Sequence, residues 1–155
     1  MPLTKAEREQ RVWLRGRRRA RVRLVQALYA WESSGRSSLA RSAQVMWDDL
    51  SLGPDERAFA EPLVRRLSEG MPAIDKQIAA VTTNWRMERI GAIERAILRL
   101  ATAELLAPSS NEKEATPPLV ILQESVLLAE RFGSEEGARF VNGVLDALAR
   151  KLGRL

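Results

Sequence analysis

Apolar residues recur at helical spacing along nearly the whole chain. Ala20, Leu24, Ala27, Leu28 and Trp31 step by three and four residues and form one stripe. Upstream, Thr4-Lys5-Ala6-Glu7 has capping-box spacing, a hydroxyl at the N-cap and a carboxylate three residues on. A helix is predicted from there to about Ser33, terminated by Gly35, with Gly16 as its weak point and residues 1–14 as a flexible basic extension. Leu39, Ala43, Met46, Trp47 and Leu50 predict a second helix over 38–50. Gly53-Pro54-Asp55-Glu56 reads as a third start, with proline near the first helical position and acids in the first turn. This helix is expected to kink at Pro62 and stop at Gly70. Another should open at Pro72 and carry Ile74, Ile78, Val81 and Trp85.

Residues 88–106 give the clearest period: Ile90, Ile93, Ile97, Leu100, Ala101 and Leu105. The stretch Pro108–Pro118 is rich in Ser, Glu and Pro and predicts an exposed loop. Leu119–Phe132 is apolar enough for a buried helix and ends at Gly133. Ser134 then caps the last helix, Glu135 and Glu136 complement its dipole, and Val141, Val144, Leu145, Leu148 and Leu152 form its core face. About seven helices and no strand predict an all-α fold, a compact bundle forming one domain over residues 1–155.

Composition narrows the chemistry. The chain has no Cys and no His, so disulfides, thiolate zinc sites, cysteine nucleophiles and imidazole bases are excluded. It has no Gly-rich phosphate loop, nucleophile elbow or dinucleotide fingerprint, and neither catalysis nor a metal or cofactor is expected. The arginines before Leu24-Val25 imitate an export signal, but Gln26 interrupts the apolar stretch and Trp31-Glu32 stands where small residues belong. No run approaches the ~18 apolar residues of a membrane span, so a cytoplasmic protein without membrane attachment is expected.

Charge changes the picture more. The net charge is +5, yet the first 23 residues hold nine Lys or Arg against Glu7 and Glu9, leaving residues 24–155 at −2. Such asymmetry points to a polyanionic partner. At about 100° per residue, Arg8, Arg11, Arg15, Arg18 and Arg19 fall opposite the apolar stripe, and Arg17, Arg21 and Arg23 flank it. Arg15, Arg17, Arg18, Arg19 and Arg21 would repel one another without a counter-charge, which a phosphate backbone supplies. A solvated cationic face is the plainer alternative. A DNA-binding helical regulator would share the basic helix but needs a helix-turn-helix pair with base-reading residues, and none is visible. A scaffold for an acidic protein is the third class.

Several segments together resemble one family. Arg17-Arg18-Arg19-Ala20-Arg21 followed by Gln26-Ala27-Leu28-Tyr29 is similar to the N-terminal helix of the NusB transcription-antitermination factors. Glu94 to Ala101, with Glu104-Leu105 after it, resembles their central helix, and Phe132-Gly133 with Phe140 to Asp146 resembles their C-terminal signature. Ile74-Asp75 and Trp85 with Arg89 fall between these in the expected order. Residues 1–14 precede the family's usual start, Ala103 stands at a commonly aromatic position and Gln123 where Asn is usual. The resemblance implies two packed helical subdomains and binding of boxA-type single-stranded RNA from ribosomal RNA operon transcripts. It also implies a small-subunit ribosomal protein, NusE, as partner, within an RNA polymerase antitermination complex. Some relatives are homodimers that hide the RNA face. The fold also forms the N-terminal domain of certain ribosomal RNA methyltransferases, for whose cofactor domain this chain is expected to leave no room.

Arginine alone cannot read single-stranded RNA, which needs bases stacked on flat side chains and bonded at their edges. Phe140 lies about 100° from the centre of the last apolar stripe, so it is either a stacking residue or a boundary core residue. Phe132, the Gly133-Ser134 turn, Glu136, Arg139 and Asn142 are its expected neighbours in an RNA site. Trp31 is assigned to the core, whereas the Tyr29 hydroxyl has RNA or a backbone carbonyl as alternatives. For Glu94, Trp85 and Arg89 the resemblance implies contact with the ribosomal protein. An exposed glutamate and a core tryptophan are the alternatives.

Overall fold

The computed structural model describes residues 1–35, 37–82, 86–107 and 116–155. Among them are six α-helices: α1 (Lys5–Ser33), α2 (Leu39–Asp49), α3 (Pro54–Val81), α4 (Ala92–Leu106), α5 (Pro118–Phe132) and α6 (Glu135–Lys151). A single 3-10 turn, Met87–Arg89, precedes α4, and no strand occurs in the described residues.

Helix α1 starts on the predicted capping box. The Thr4 N–H donates to Glu7 Oε2 at 2.7 Å, and Thr4 Oγ1 accepts from the Glu7 N–H at 3.1 Å. The helix passes through Gly16 without a break. Before that residue it is exposed on every side. From Gly16 onward one face is buried, through Ala20, Leu24, Ala27 and Leu28 to Trp31. Ser34 caps the end and Gly35 leaves it at φ +88°, a left-handed conformation that glycine adopts without steric penalty.

The sequence expectation fails most clearly in α3. Neither Gly70 nor Pro72 ends it, and Pro62 leaves it continuous, so two predicted helices are one and the count is six. The reason is the apolar stripe, which continues across the expected break. Ala60, Leu63, Val64, Leu67, Met71, Ile74 and Ile78 are all buried, at steps of three and four residues. Burying each large side chain is worth roughly 1.5–3 kcal/mol, against about 1 kcal/mol for an interior glycine and about 3 for a proline. Both prolines lie on the exposed face.

The chain forms two compact units, Met1–Val64 and Arg65–Leu155. In the first, α1 packs on α2, which buries Leu39, Ala43 and Trp47. In the second, α4, α5 and α6 pack on one another. Helix α4 is buried on all sides from Arg95 to Leu105, so one apolar stripe understates it. It begins at Ala92 rather than residue 88. Arg95 holds the preceding 3-10 turn by donating from Nη1 to the carbonyls of Met87 (2.9 Å) and Ile90 (2.6 Å). Deeper in α4, Arg99 forms a two-pronged ion pair with Asp75, Nε to Oδ1 at 2.8 Å and Nη2 to Oδ2 at 3.0 Å. Arg99 is 1% exposed, where an unpaired charge would cost several kcal/mol. No described helix is long and apolar enough to cross a membrane.

Candidate nucleic-acid interface

The arginine cluster of α1 divides by partner. Arg15 and Arg18 are exposed, and Arg15 Nε lies 3.4 Å from the Arg11 carbonyl. Arg19 is exposed too, but its guanidinium donates to Glu56 Oε1 from Nε at 2.9 Å and also from Nη2. The other oxygen of Glu56 accepts the Gly53 N–H at 2.6 Å, the carboxylate half of a capping box at the start of α3. Burial pushes the Glu56 carboxyl up. The hydrogen bonds from Arg19 and Gly53 and the Arg19 charge together outweigh it, so the group is held below its ordinary value.

Arg17 and Arg21 lie inward. The Arg17 guanidinium carbon sits 3.8 Å from the Trp13 ring centroid and 4.6 Å from that of Phe59. Arg21 is buried, its guanidinium carbon 5.0 Å from the Phe59 centroid. Trp13, Arg17, Phe59 and Arg21 thus form an alternating stack of rings and guanidinium groups. Sequence reading placed Arg17 and Arg21 beside the apolar stripe but missed both rings. The spacing Trp13, Arg17, Arg21 was a usable signal, since i, i+4 neighbours share a helix face. Nothing local points to Phe59. Tyr29 is 45% exposed, one step from the buried face.

In the second unit the remaining candidates cluster around the α5–α6 connection. Gly133 ends α5, and Ser134 caps α6 by accepting the Gly137 N–H at 3.0 Å. Phe132 is half-buried, with the Arg131 guanidinium carbon 5.0 Å from its centroid. Phe140 is half-buried at the margin of the α6 core face, which consists of Ala138, Val141, Val144, Leu145, Leu148 and Ala149. Glu136 is exposed in the first turn of α6. Arg139 and Asn142 line a groove between α5 and α6 with Leu122, Gln123 and Val126, and Phe132 and Phe140 do not line it.

The partner candidates fall differently. Arg89 is exposed in the 3-10 turn, and Trp85 lies outside the described residues. Glu94 joins the RNA candidates. Its carboxylate lies against three glycines, so that a Cβ on Gly91 or Gly137 would collide with a Glu94 oxygen and one on Gly133 would lie 2.9 Å from Oε1. A single side chain therefore abuts the start of α4, the end of α5 and the first turn of α6. Helix N-termini favour negative charge there.

An all-helical chain with a basic first helix and a capped glycine turn before its last helix defines a class of small helical proteins suited to a polyanion. The model of the NusB family matches residues 18–150. The chain is 41% identical over 131 residues to the transcription antitermination protein NusB of Sorangium cellulosum, covering 84% of this chain and 89% of that one. It is 38% identical to the NusB protein of Anaeromyxobacter dehalogenans, with 88% and 92% covered. Among solved structures, T. maritima NusB superposes with a TM-score of 0.78 at 30% identity, over 87% of this chain and 91% of that one. A crystal structure of the antitermination factors NusB and NusE in complex with dsRNA gives 0.76 at 26% identity, over 88% and 98%. The chain belongs to the NusB family.

Proposed function

We propose that this protein is a non-enzymatic, cytoplasmic transcription antitermination factor. It binds boxA-type RNA of ribosomal RNA operon transcripts together with the ribosomal protein NusE, and residues 1–155 act as one RNA-binding domain. The observation that carries the reading is the family match over residues 18–150, which takes in the arginines of α1 from Arg18 onward and the whole α5–α6 turn. The exposed Arg15, Arg18 and Arg19 are suited to phosphate contacts, which give affinity without sequence preference. Phe140, half-buried on α6, supplies a flat face for a splayed base, with Phe132 and Glu136 at the same end of the unit, while Arg139 and Asn142 serve the RNA from the neighbouring α5–α6 groove. Tyr29 and Arg17 complete the RNA side, whereas Arg21, expected there from the sequence, is buried against Phe59 and supports the stack instead. Glu94 and Arg89 are the NusE-side candidates among the described residues, with Trp85 outside them, and the Glu94 carboxylate lies against Gly133 and Gly137 of the RNA side.

The deciding measurement is binding to boxA RNA and to a scrambled RNA across a salt series, with and without NusE. Binding should weaken steeply with salt, favour boxA and tighten with NusE. Equal affinity for both RNAs at every salt, with or without NusE, overturns the reading.

A further inference from the structure

The family match begins at residue 18, yet α1 begins at Lys5, so three exposed helical turns precede the matched region. At about 100° per residue, Arg8, Arg11, Arg15 and Arg18 fall within an arc of about 80°. They form one row on α1, a guanidinium in each turn over about 15 Å, and all four are exposed. The row stops where Val22, the next residue of that face, is buried. Arg8, Arg11 and Arg15 make no ion pair with a described residue. Glu7 is turned back onto the Thr4 N–H, and Glu9, on the other side of the helix, lies 3.9 Å from Lys5. Arg8 donates to the Leu3 carbonyl at 2.6 Å and Arg15 to the Arg11 carbonyl at 3.4 Å, contacts that leave both charges uncompensated. Like charges three and four residues apart work against a helix, most of all where no packing supports it. Phosphates laid along the row remove that repulsion.

We propose that Arg8 and Arg11 continue the row of Arg15 and Arg18 into a phosphate track, which carries the backbone of single-stranded RNA flanking the boxA element along the exposed face of α1. The proposal rests on the RNA-binding reading above and adds a longer footprint to it. The track reads no sequence, because a guanidinium that meets only phosphate distinguishes no base. It steepens the salt dependence of any RNA long enough to lie on it.

The test titrates the full chain with the boxA element alone and with the same element carrying about five unstructured nucleotides on each side. Arg8→Gln/Arg11→Gln removes both charges and keeps good helix formers. It should weaken the longer RNA about five-fold and the shorter by less than about two-fold. For the longer RNA the slope of log K against log salt should fall by about 1.4, at ~0.7 per phosphate contact on a single strand. The retained affinity for the shorter RNA shows that the fold is intact. A second variant, Ala6→Arg/Arg8→Gln/Gln10→Arg/Arg11→Gln, keeps the net charge but moves both guanidinium groups off the row. It should bind the longer RNA as weakly as the first. Amides of residues 8–15 should exchange about three-fold more slowly with the longer RNA than with the shorter. Equal exchange with the two RNAs, or either variant binding the longer RNA as the wild type does, overturns the inference alone, since the boxA element is still bound. If the wild type binds neither RNA, the functional reading fails with it.

Discussion

Arginines in the two units do opposite work. In the first unit, Arg15, Arg18 and Arg19 stand on the surface of α1, and Arg17 and Arg21 lie on aromatic rings. In the second unit, Arg95 and Arg99 are buried in α4 and directed at backbone carbonyls and at Asp75. The former sit largely at the surface or against rings, Arg19 also on Glu56; the latter are buried and hold the fold. The difference cannot be seen in residue type or in local sequence, because Arg95-Ala96-Ile97-Leu98-Arg99 would pass for the polar edge of any amphipathic helix. It comes from what the neighbouring elements offer, a ring or an open surface in one case and a carbonyl or carboxylate in the other.

The largest effect is expected where the structural pair is broken. Asp75→Ala leaves the Arg99 charge buried without its counter-ion and should lower stability by about 3 kcal/mol in urea melts. That is the low end of the usual range, because the Asp75 side chain is 25% exposed and water can partly replace it. RNA affinity of the folded protein should not change. Phe140→Ala should do the reverse, weakening boxA RNA about ten-fold while sparing scrambled RNA, with stability nearly intact.

Arg18→Ala should weaken both RNAs alike by about three-fold and reduce the slope of log K against log salt by about 1. Glu56→Gln tests the boundary between the two behaviours. It should release Arg19, raising affinity for any RNA about two-fold, while costing about 1 kcal/mol of stability through the weakened bond to Gly53. The smallest effect is a pH dependence. Because Glu56 is held below its ordinary value, its contribution is complete above the ordinary glutamate range and is lost as pH falls through the lower folded value. Acid denaturation of Glu56→Gln should lack that component.

How much could be read in advance follows from how local each feature is. Helix α6, its Ser134 cap and its core face were legible, since a capped amphipathic segment carries its own signals. The marginal position of Phe140 followed from the same period. Helix α3 was misread because Gly70 and Pro72 are strong local signals that a longer apolar stripe overrides. The stack on α1 was half legible: Trp13, Arg17 and Arg21 share a face by spacing, but Phe59 arrives from another helix. The position of Glu94 was not legible at all. It depends on glycines at 91, 133 and 137 being brought together by the packing of α4 against α5 and α6.

That last arrangement ties Gly91 and Gly137 to Glu94 and leaves Gly133 under a second constraint. An alanine at Gly91 or Gly137 would have to push the Glu94 carboxylate aside, whereas one at Gly133 would also meet the fixed backbone of Ala129. Shortening residue 94 would open space at Gly91 and Gly137 but not at Gly133, where a Cβ would still lie 2.9 Å from the Ala129 carbonyl oxygen. Drift at 91 and 137 should therefore follow residue 94, while Gly133 stays fixed by the backbone whatever stands at 94.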